Sequence, residues 1–400
     1  MVVINWPLEE IAIDQFHSAG GGGDGTFLGS EGGTLNNLSI KNFFKKGAWR
    51  PYPMGQNQRL SISAQTNGTY YKAFAISFTD PWMGGRKPNS FTISAHYSDE
   101  NNAYYAWQKG TRYFRTAGVA AGLGKRLDWP DPYFPFYAEA SYERYMLKDW
   151  NTFVLKNGAA NLLSTRLVLG RNSVDQPIYP RRGSDFSVSV QLTPPYSLWD
   201  GKDYKSTALS EQERYNWIEF HKWMLKGQWF TPLTRNGNLV LMARAEMGYL
   251  GHYNKNKVSP FERFEVGGDG MTGYNMYGID IISMRGYDDG ALDPVGSNYS
   301  CAYNKYTMEL RYPLLLKGQT NIYVLGFLEG GNGFTSWKEF SPFKIKRSAG
   351  IGVRLFLPVV GMVGVDWGWG FDPAAGQTKS SGSHIHFTMG LQFKTGGRWH

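Results

Sequence analysis

One cysteine, Cys301, stands in 400 residues. That excludes a disulfide framework and a cysteine-built metal centre. No run of about 18 apolar residues occurs, so no segment reads as a transmembrane helix. Charge is sparse at 19%, and the net +9 comes without a dense Lys/Arg run or a nucleic-acid motif. A nucleic-acid partner is therefore not expected, and the basic balance fits a polar lumen and lipid headgroups. The segment Gly20 to Gly25 lacks the Lys-Ser/Thr of a phosphate-binding loop, and no nucleophile elbow appears. His384 and His386 lie two apart on one strand face, but no third ligand has convincing spacing, so no metal is expected. Neither an enzyme nor a cofactor is expected. Met1 to Pro7 lacks the basic start and long apolar stretch of a signal peptide, so an exported form of this chain would be a mature fragment.

Aromatics are plentiful at 16%, and Gly numbers 49. A chain with 24 Phe, 25 Tyr and 14 Trp is not a disordered one. Its apolar residues alternate. Phe74, Ile76 and Phe78 interleave with Ala73, Ala75 and Ser77; Phe186, Val188 and Val190 with Ser187, Ser189 and Gln191. Leu241, Ala243, Ala245 and Met247 share one face, and Arg244 and Glu246 take the other. This is the half-buried strand pattern. A membrane barrel turns the apolar face out to lipid, a soluble sandwich turns it in, and alternation alone fits both.

Turn signals divide the chain into about sixteen strands: 11–17, 27–41, 58–66, 70–79, 89–98, 112–125, 134–147, 161–171, 183–193, 218–231, 237–252, 302–315, 320–331, 346–357, 361–371 and 384–394. The number is even, as single-chain bacterial barrels require. Long connections fall at 99–111, 148–160, 194–217 and 253–301. Ser210 and Glu213 have capping-box spacing and predict a short polar helix running to about Trp217.

The longest connection carries Met284-Arg285-Gly286-Tyr287 after Gly267-Gly268-Asp269-Gly270. The first of these resembles the Arg-Gly-aromatic signature in the sixth loop of the BamA superfamily, in the variant found in the Bacteroidetes. Ser77 to Gly85, Gln176 to Ser184 and Asn36 to Phe44 resemble further turns and strand ends of that family, in the same order. Phe387, Gly390 and Phe393 resemble the C-terminal β-signal of outer-membrane proteins, although Lys394 to His400 follow it.

The resemblance covers about 27–394 and implies a transmembrane antiparallel β-barrel with the Arg285, Gly286, Tyr287 loop folded into the lumen. The whole chain, 1–400, then reads as the barrel portion, with no segment resembling the family's POTRA repeats. The resemblance pairs Arg285 with acids on the next two strands, and Glu309 and Glu329 fit them. Glu309 points inward if Met308, Leu310 and Tyr312 face lipid. Parity groups Glu329 with Tyr323 and Phe327, so a bulge or bend is expected there. A forked guanidinium suits two carboxylates, and Gly286 would let the backbone approach the wall.

The implied function is insertion of β-barrel proteins into the bacterial outer membrane through a seam between first and last strands. Ile11, Ile13, Gly20 and Gly21 mark the first-strand side. Implied partners are unfolded outer-membrane clients, outer-membrane lipids with lipopolysaccharide, and accessory lipoproteins. A secretion pore of the same superfamily is the alternative; a passive porin and a soluble β-enzyme rank below it.

Overall fold

The computed structural model describes residues 15–23, 26–49, 51–85, 87–103, 110–269, 278–296, 299–317, 320–357 and 361–389. Its strands are β1 (Gln15–Gly23), β2 (Thr26–Leu38), β3 (Gln58–Thr66), β4 (Tyr71–Asp80), β5 (Asn89–Asn101), β6 (Tyr113–Leu127), β7 (Phe134–Lys148), β8 (Gly158–Asn172) and β9 (Gly183–Leu192). They continue as β10 (His221–Pro232), β11 (Val240–Gly251), β12 (Arg263–Val266), β13 (Ile279–Ile282), β14 (Ala302–Lys317), β15 (Thr320–Phe334), β16 (Lys346–Leu357), β17 (Gly361–Pro373) and β18 (Ser380–Met389). All but β12 and β13 form one 16-stranded sheet, each strand hydrogen-bonded to its sequence neighbour and antiparallel to it.

The faces decide what alternation left open. On β14, Met308, Leu310 and Tyr312 are exposed, while Glu309 and Arg311 are buried. A water-soluble sandwich would reverse this, so the apolar face is the lipid face. Pro313 has no N–H for the ladder, and the β14–β15 register shifts just beyond it, between Pro313 and Leu315. The connection 252–301 is touched by strands far apart in the sheet. Its Phe261 stacks on Phe114 of β6 and Tyr145 of β7; its Arg285 reaches β14 and β15, and its Gly286 reaches β18. A sheet meeting one segment from so many strands is wrapped around it. The fold is an all-β, 16-stranded membrane barrel with that loop in the lumen.

Connections after odd-numbered barrel strands gather at one end and include all the long ones except 39–57; this is the outer end by the usual barrel rule. One of them holds α1 (Glu211–Tyr215), with Ser210 as N-cap and the capping box to Glu213 complete. Three expectations are corrected. Within the described residues the first strand is Gln15–Gly23, running past the expected end at 17 and pairing with β2 through its glycines. The last begins at Ser380 rather than 384. The 253–301 connection is not irregular throughout, because β12 and β13 pair in parallel inside it.

Candidate functional site

The lumen loop is held at two places. In the first, Arg285 Nη2 donates to Glu309 Oε1 and to Glu329 Oε1, both at 2.7 Å. The Arg285 backbone N–H donates to Glu329 Oε2 at 2.8 Å. Arg285 Nη1 lies 3.6 Å from Asp366 Oδ1, and the guanidinium sits 3.7 Å over the Phe327 ring. Burial would lower the Arg285 pKa, but the charges of Glu329 and then Glu309 outweigh it and push it further up. The side chain stays a cation.

Each acid also has a cation on the wall. Glu309 accepts from Arg311 at 2.6 Å, Asp366 takes a forked pair from Arg354 at 2.7 and 2.9 Å, and Lys305 lies 3.9 Å from Glu329. Charges therefore alternate along a buried network. No bulge is needed at Glu329. The β15 ladders run in regular register there, and Tyr323, Leu325, Phe327 and Glu329 all face inward. The expected bend came from assuming that aromatics belong outside; this lumen carries aromatic residues of its own.

Gly286 has φ +86, and a Cβ there would stand 2.8 Å from Ser348 Cβ and 3.0 Å from the Gly370 backbone N. Gly368 faces it from the wall, where a Cβ would come within 2.9 Å of the Gly286 N. The loop backbone thus lies directly on β17. Gly286 N–H donates to His386 Nε2 at 2.8 Å, and the buried Tyr287 hydroxyl donates to Arg347 O at 2.8 Å.

The second hold has the opposite polarity. Lys222 of β10 reaches Glu262 Oε2 at 3.1 Å and Asp280 Oδ2 at 2.5 Å, both acids belonging to the loop. Arg166 of β8 lines the same small cavity, about 10 Å³ in volume. Around it Phe261, Phe264, Met284, Tyr287 and Leu292 pack with wall residues into one buried cluster.

Sequence reading reached Arg285, Glu309 and Glu329, which the structure brings together. It missed Asp366 and the Lys222, Glu262 and Asp280 group. Asp366 had a signal, an acid between Gly364 and Gly368 on the face of β17 opposite Trp367 and Trp369. His384 and His386, the two histidines of one strand face, take separate partners: His386 accepts from the Gly286 N–H, and His384 Nδ1 lies 3.1 Å from Asp288 Oδ1. On the last strand, the Phe387 N–H donates to Asp269 Oδ2 at 3.1 Å, and the Phe387 side chain is exposed. Gly20 and Gly21 lie in β1 opposite Gly29 and Leu28. Ile11, Ile13, Gly390 and Phe393 lie outside the described residues.

Residues 54–393 match the Omp85 superfamily domain. Over 256 residues the chain is 27% identical to the outer membrane protein assembly factor BamA of Neisseria meningitidis, a stretch that covers 60% of this chain and 27% of that protein. The match thus spans about a quarter of the curated relative's length. The crystal structure of BamA from Haemophilus ducreyi lacking POTRA domains 1–3 aligns with a TM-score of 0.62 at 16% identity, over 94% of this chain and 69% of that one. CdiB from Escherichia coli aligns at 0.57 and 12% identity, over 95% and 63%. At these identities the two structures speak for fold alone.

Proposed function

The chain belongs to the Omp85 superfamily and is an integral outer-membrane β-barrel, and from that premise we propose that it inserts other β-barrel proteins into the outer membrane through its own seam. A client strand entering lipid with unpaired backbone groups costs several kcal/mol per group. A strand edge that pairs with it removes that cost. The edge belongs to β1 and the last strand. Among the described residues β1 is laddered to β2 alone and β18 to β17 alone.

The observation that carries the reading is the donation from the Phe387 N–H to Asp269: a side chain of the lumen loop, not a strand, takes a main-chain donor of β18. The loop that grips the wall through Arg285 thereby also touches the strand that has to part. Arg285, Glu309 and Glu329 hold the loop and make or break no bond. Gly20 and Gly21, opposite Gly29 and Leu28, bring no side chain to the β1 ladder at those positions, which weakens it. Clients are unfolded outer-membrane proteins carrying a C-terminal aromatic signal. Outer-membrane lipid with lipopolysaccharide and accessory lipoproteins complete the partner set.

The competing reading, a pore passing an exoprotein through the lumen, requires the loop to leave. The buried aromatic cluster and two ionic holds that fix the loop to the wall favour the seam. The test is a pair of cysteines locking β1 to the last strand in the full-length protein, with Cys301→Ser. Assembly of new outer-membrane proteins should stop when locked and resume with reductant. Undisturbed assembly under complete locking would overturn the seam and favour the pore.

A further inference from the structure

One connection breaks the rule of its end. At the short-turn end the chain reverses at 81–88, 128–133, 173–182 and 233–239, but between β2 and β3 it makes the excursion 39–57. That excursion is built. Asn42 Nδ2 donates to Met54 O at 2.9 Å and Trp49 Nε1 to Phe43 O at 3.0 Å. Asn37 Oδ1 accepts from the Gly55 and Asn57 N–H groups at 3.2 and 3.0 Å, and the Phe43 and Trp49 rings meet edge to face at 4.8 Å.

A loop this well tied has fixed its apolar side chains outward. Phe44 is 93% exposed, and Ile40, Phe43 and Trp49 are exposed as well. Its charge is one-sided: Lys41, Lys45, Lys46 and Arg50 with no acid between 39 and 57. Exposed apolar groups that a fold takes trouble to hold in place mark a contact surface. The neighbouring turns carry exposed Trp82, Met83 and Trp129 at the same end, as an interfacial aromatic girdle does. An acid-free basic loop with protruding aromatics at that level matches one occupant, the anionic face of the bilayer.

We propose that residues 39–57 are an interfacial foot that binds anionic phospholipid in the leaflet at the short-turn end. Phe44 and Trp49 enter the acyl boundary, and Lys41, Lys45 and Lys46 meet phosphate. The foot stands on β2 and β3, beside the first strand, so it moors the start of the barrel to the leaflet. The proposal rests on the barrel and its orientation, and stands apart from what the seam does.

The test uses the whole chain with Ala48→Cys and Cys301→Ser, labelled with the environment-sensitive dye NBD. It is reconstituted in phosphatidylcholine vesicles with or without one third phosphatidylglycerol. The dye should shift to the blue and be quenched by brominated acyl chains, more strongly with phosphatidylglycerol. K41Q/K45Q/K46Q should abolish that lipid preference, and F44A/W49A the quenching. Unlabelled wild-type protein analysed by native mass spectrometry should retain phosphatidylglycerol over phosphatidylcholine by on the order of tenfold more than the triple Gln variant. A dye equally exposed in both vesicles, or equal lipid retention by both proteins, overturns the proposal. So does shielding that appears only when an acidic protein partner is added.

Discussion

The two holds on the lumen loop are built with opposite polarity. At Arg285 the loop brings the cation and the wall brings three acids, each with a cation of its own in Arg311, Lys305 or Arg354. At Lys222 the wall brings the cation and the loop brings two acids. The difference lies in redundancy. Without Arg285 the wall remains neutralised, and the loop loses only its own grip. Without Lys222 the two loop carboxylates face a single wall cation, Arg166, in the same buried cavity, and one negative charge is left over. The first hold can be opened and closed at modest cost; the second resists opening.

That contrast can be broken most severely at Lys222. Lys222→Met should lower barrel stability by about 3–5 kcal/mol, the usual cost of removing one partner from a buried ion pair. Urea unfolding in micelles, followed by the mobility of unheated samples, reads it. Adding Glu262→Gln and Asp280→Asn should recover much of the loss. Arg285→Ala should cost less, about 2–3 kcal/mol, from the lost charge-assisted hydrogen bonds. Limited proteolysis should cut within 252–300 more readily, although the barrel stays folded. Arg285→Lys should fall between, because an ammonium can bridge Glu309 and Glu329 from one nitrogen as Nη2 does, but cannot also reach Asp366 or lay a planar guanidinium over the Phe327 ring. Equal costs for Lys222→Met and Arg285→Ala would refute the redundancy argument.

The smallest effect is with pH. Glu265 is pushed up to about 7 by burial and then by Asp289, and Asp293 to about 8 by burial, against the hydrogen bond from Ser300. A carboxyl whose folded pKa lies above its ordinary value favours the fold while protonated. That contribution is lost as pH rises from the ordinary carboxylate range through 8. Amide exchange in 278–296 should therefore quicken several-fold more between pH 6 and 9 than base catalysis of exchange accounts for. Asp293→Asn should remove most of that excess. Arg285 keeps its charge across this window and adds nothing to it.

How far these features were legible in sequence follows from their physics. Strands β3 to β11 and β14 to β17 were readable because side chains alternate between lipid and lumen, two solvents of opposite taste. Arg285 and its two acids were readable through the family resemblance: Arg-Gly-Tyr marked the loop, and the acids that the family places opposite it fell on regular strands. β1 was displaced because consecutive glycines have no side chains to alternate. β12 and β13 were missed because both are buried in the lumen loop and have only four residues each. Lys222, Glu262 and Asp280 were missed because the acids lie on a loop outside the sheet's register, and only the wrapping of the sheet around that loop brings them to Lys222. At Glu329 parity implied a bulge that is absent, because the rule that aromatics face lipid fails where the lumen side carries Tyr323 and Phe327.

The meeting of Gly286 with Gly368 and Gly370 has a consequence for how this barrel evolves. Ordinary packing is negotiable: one side chain grows while its neighbour shrinks, and lineages drift through such exchanges. Gly286 lies against Gly368 and against Gly370, and none of the three has a side chain left to shrink. A methyl gained at any of them finds no compensating change at the other two, so the contact can be abandoned but not traded. Drift elsewhere in the barrel is free to rewrite side chains, while at this spot the main chain itself is the inherited character.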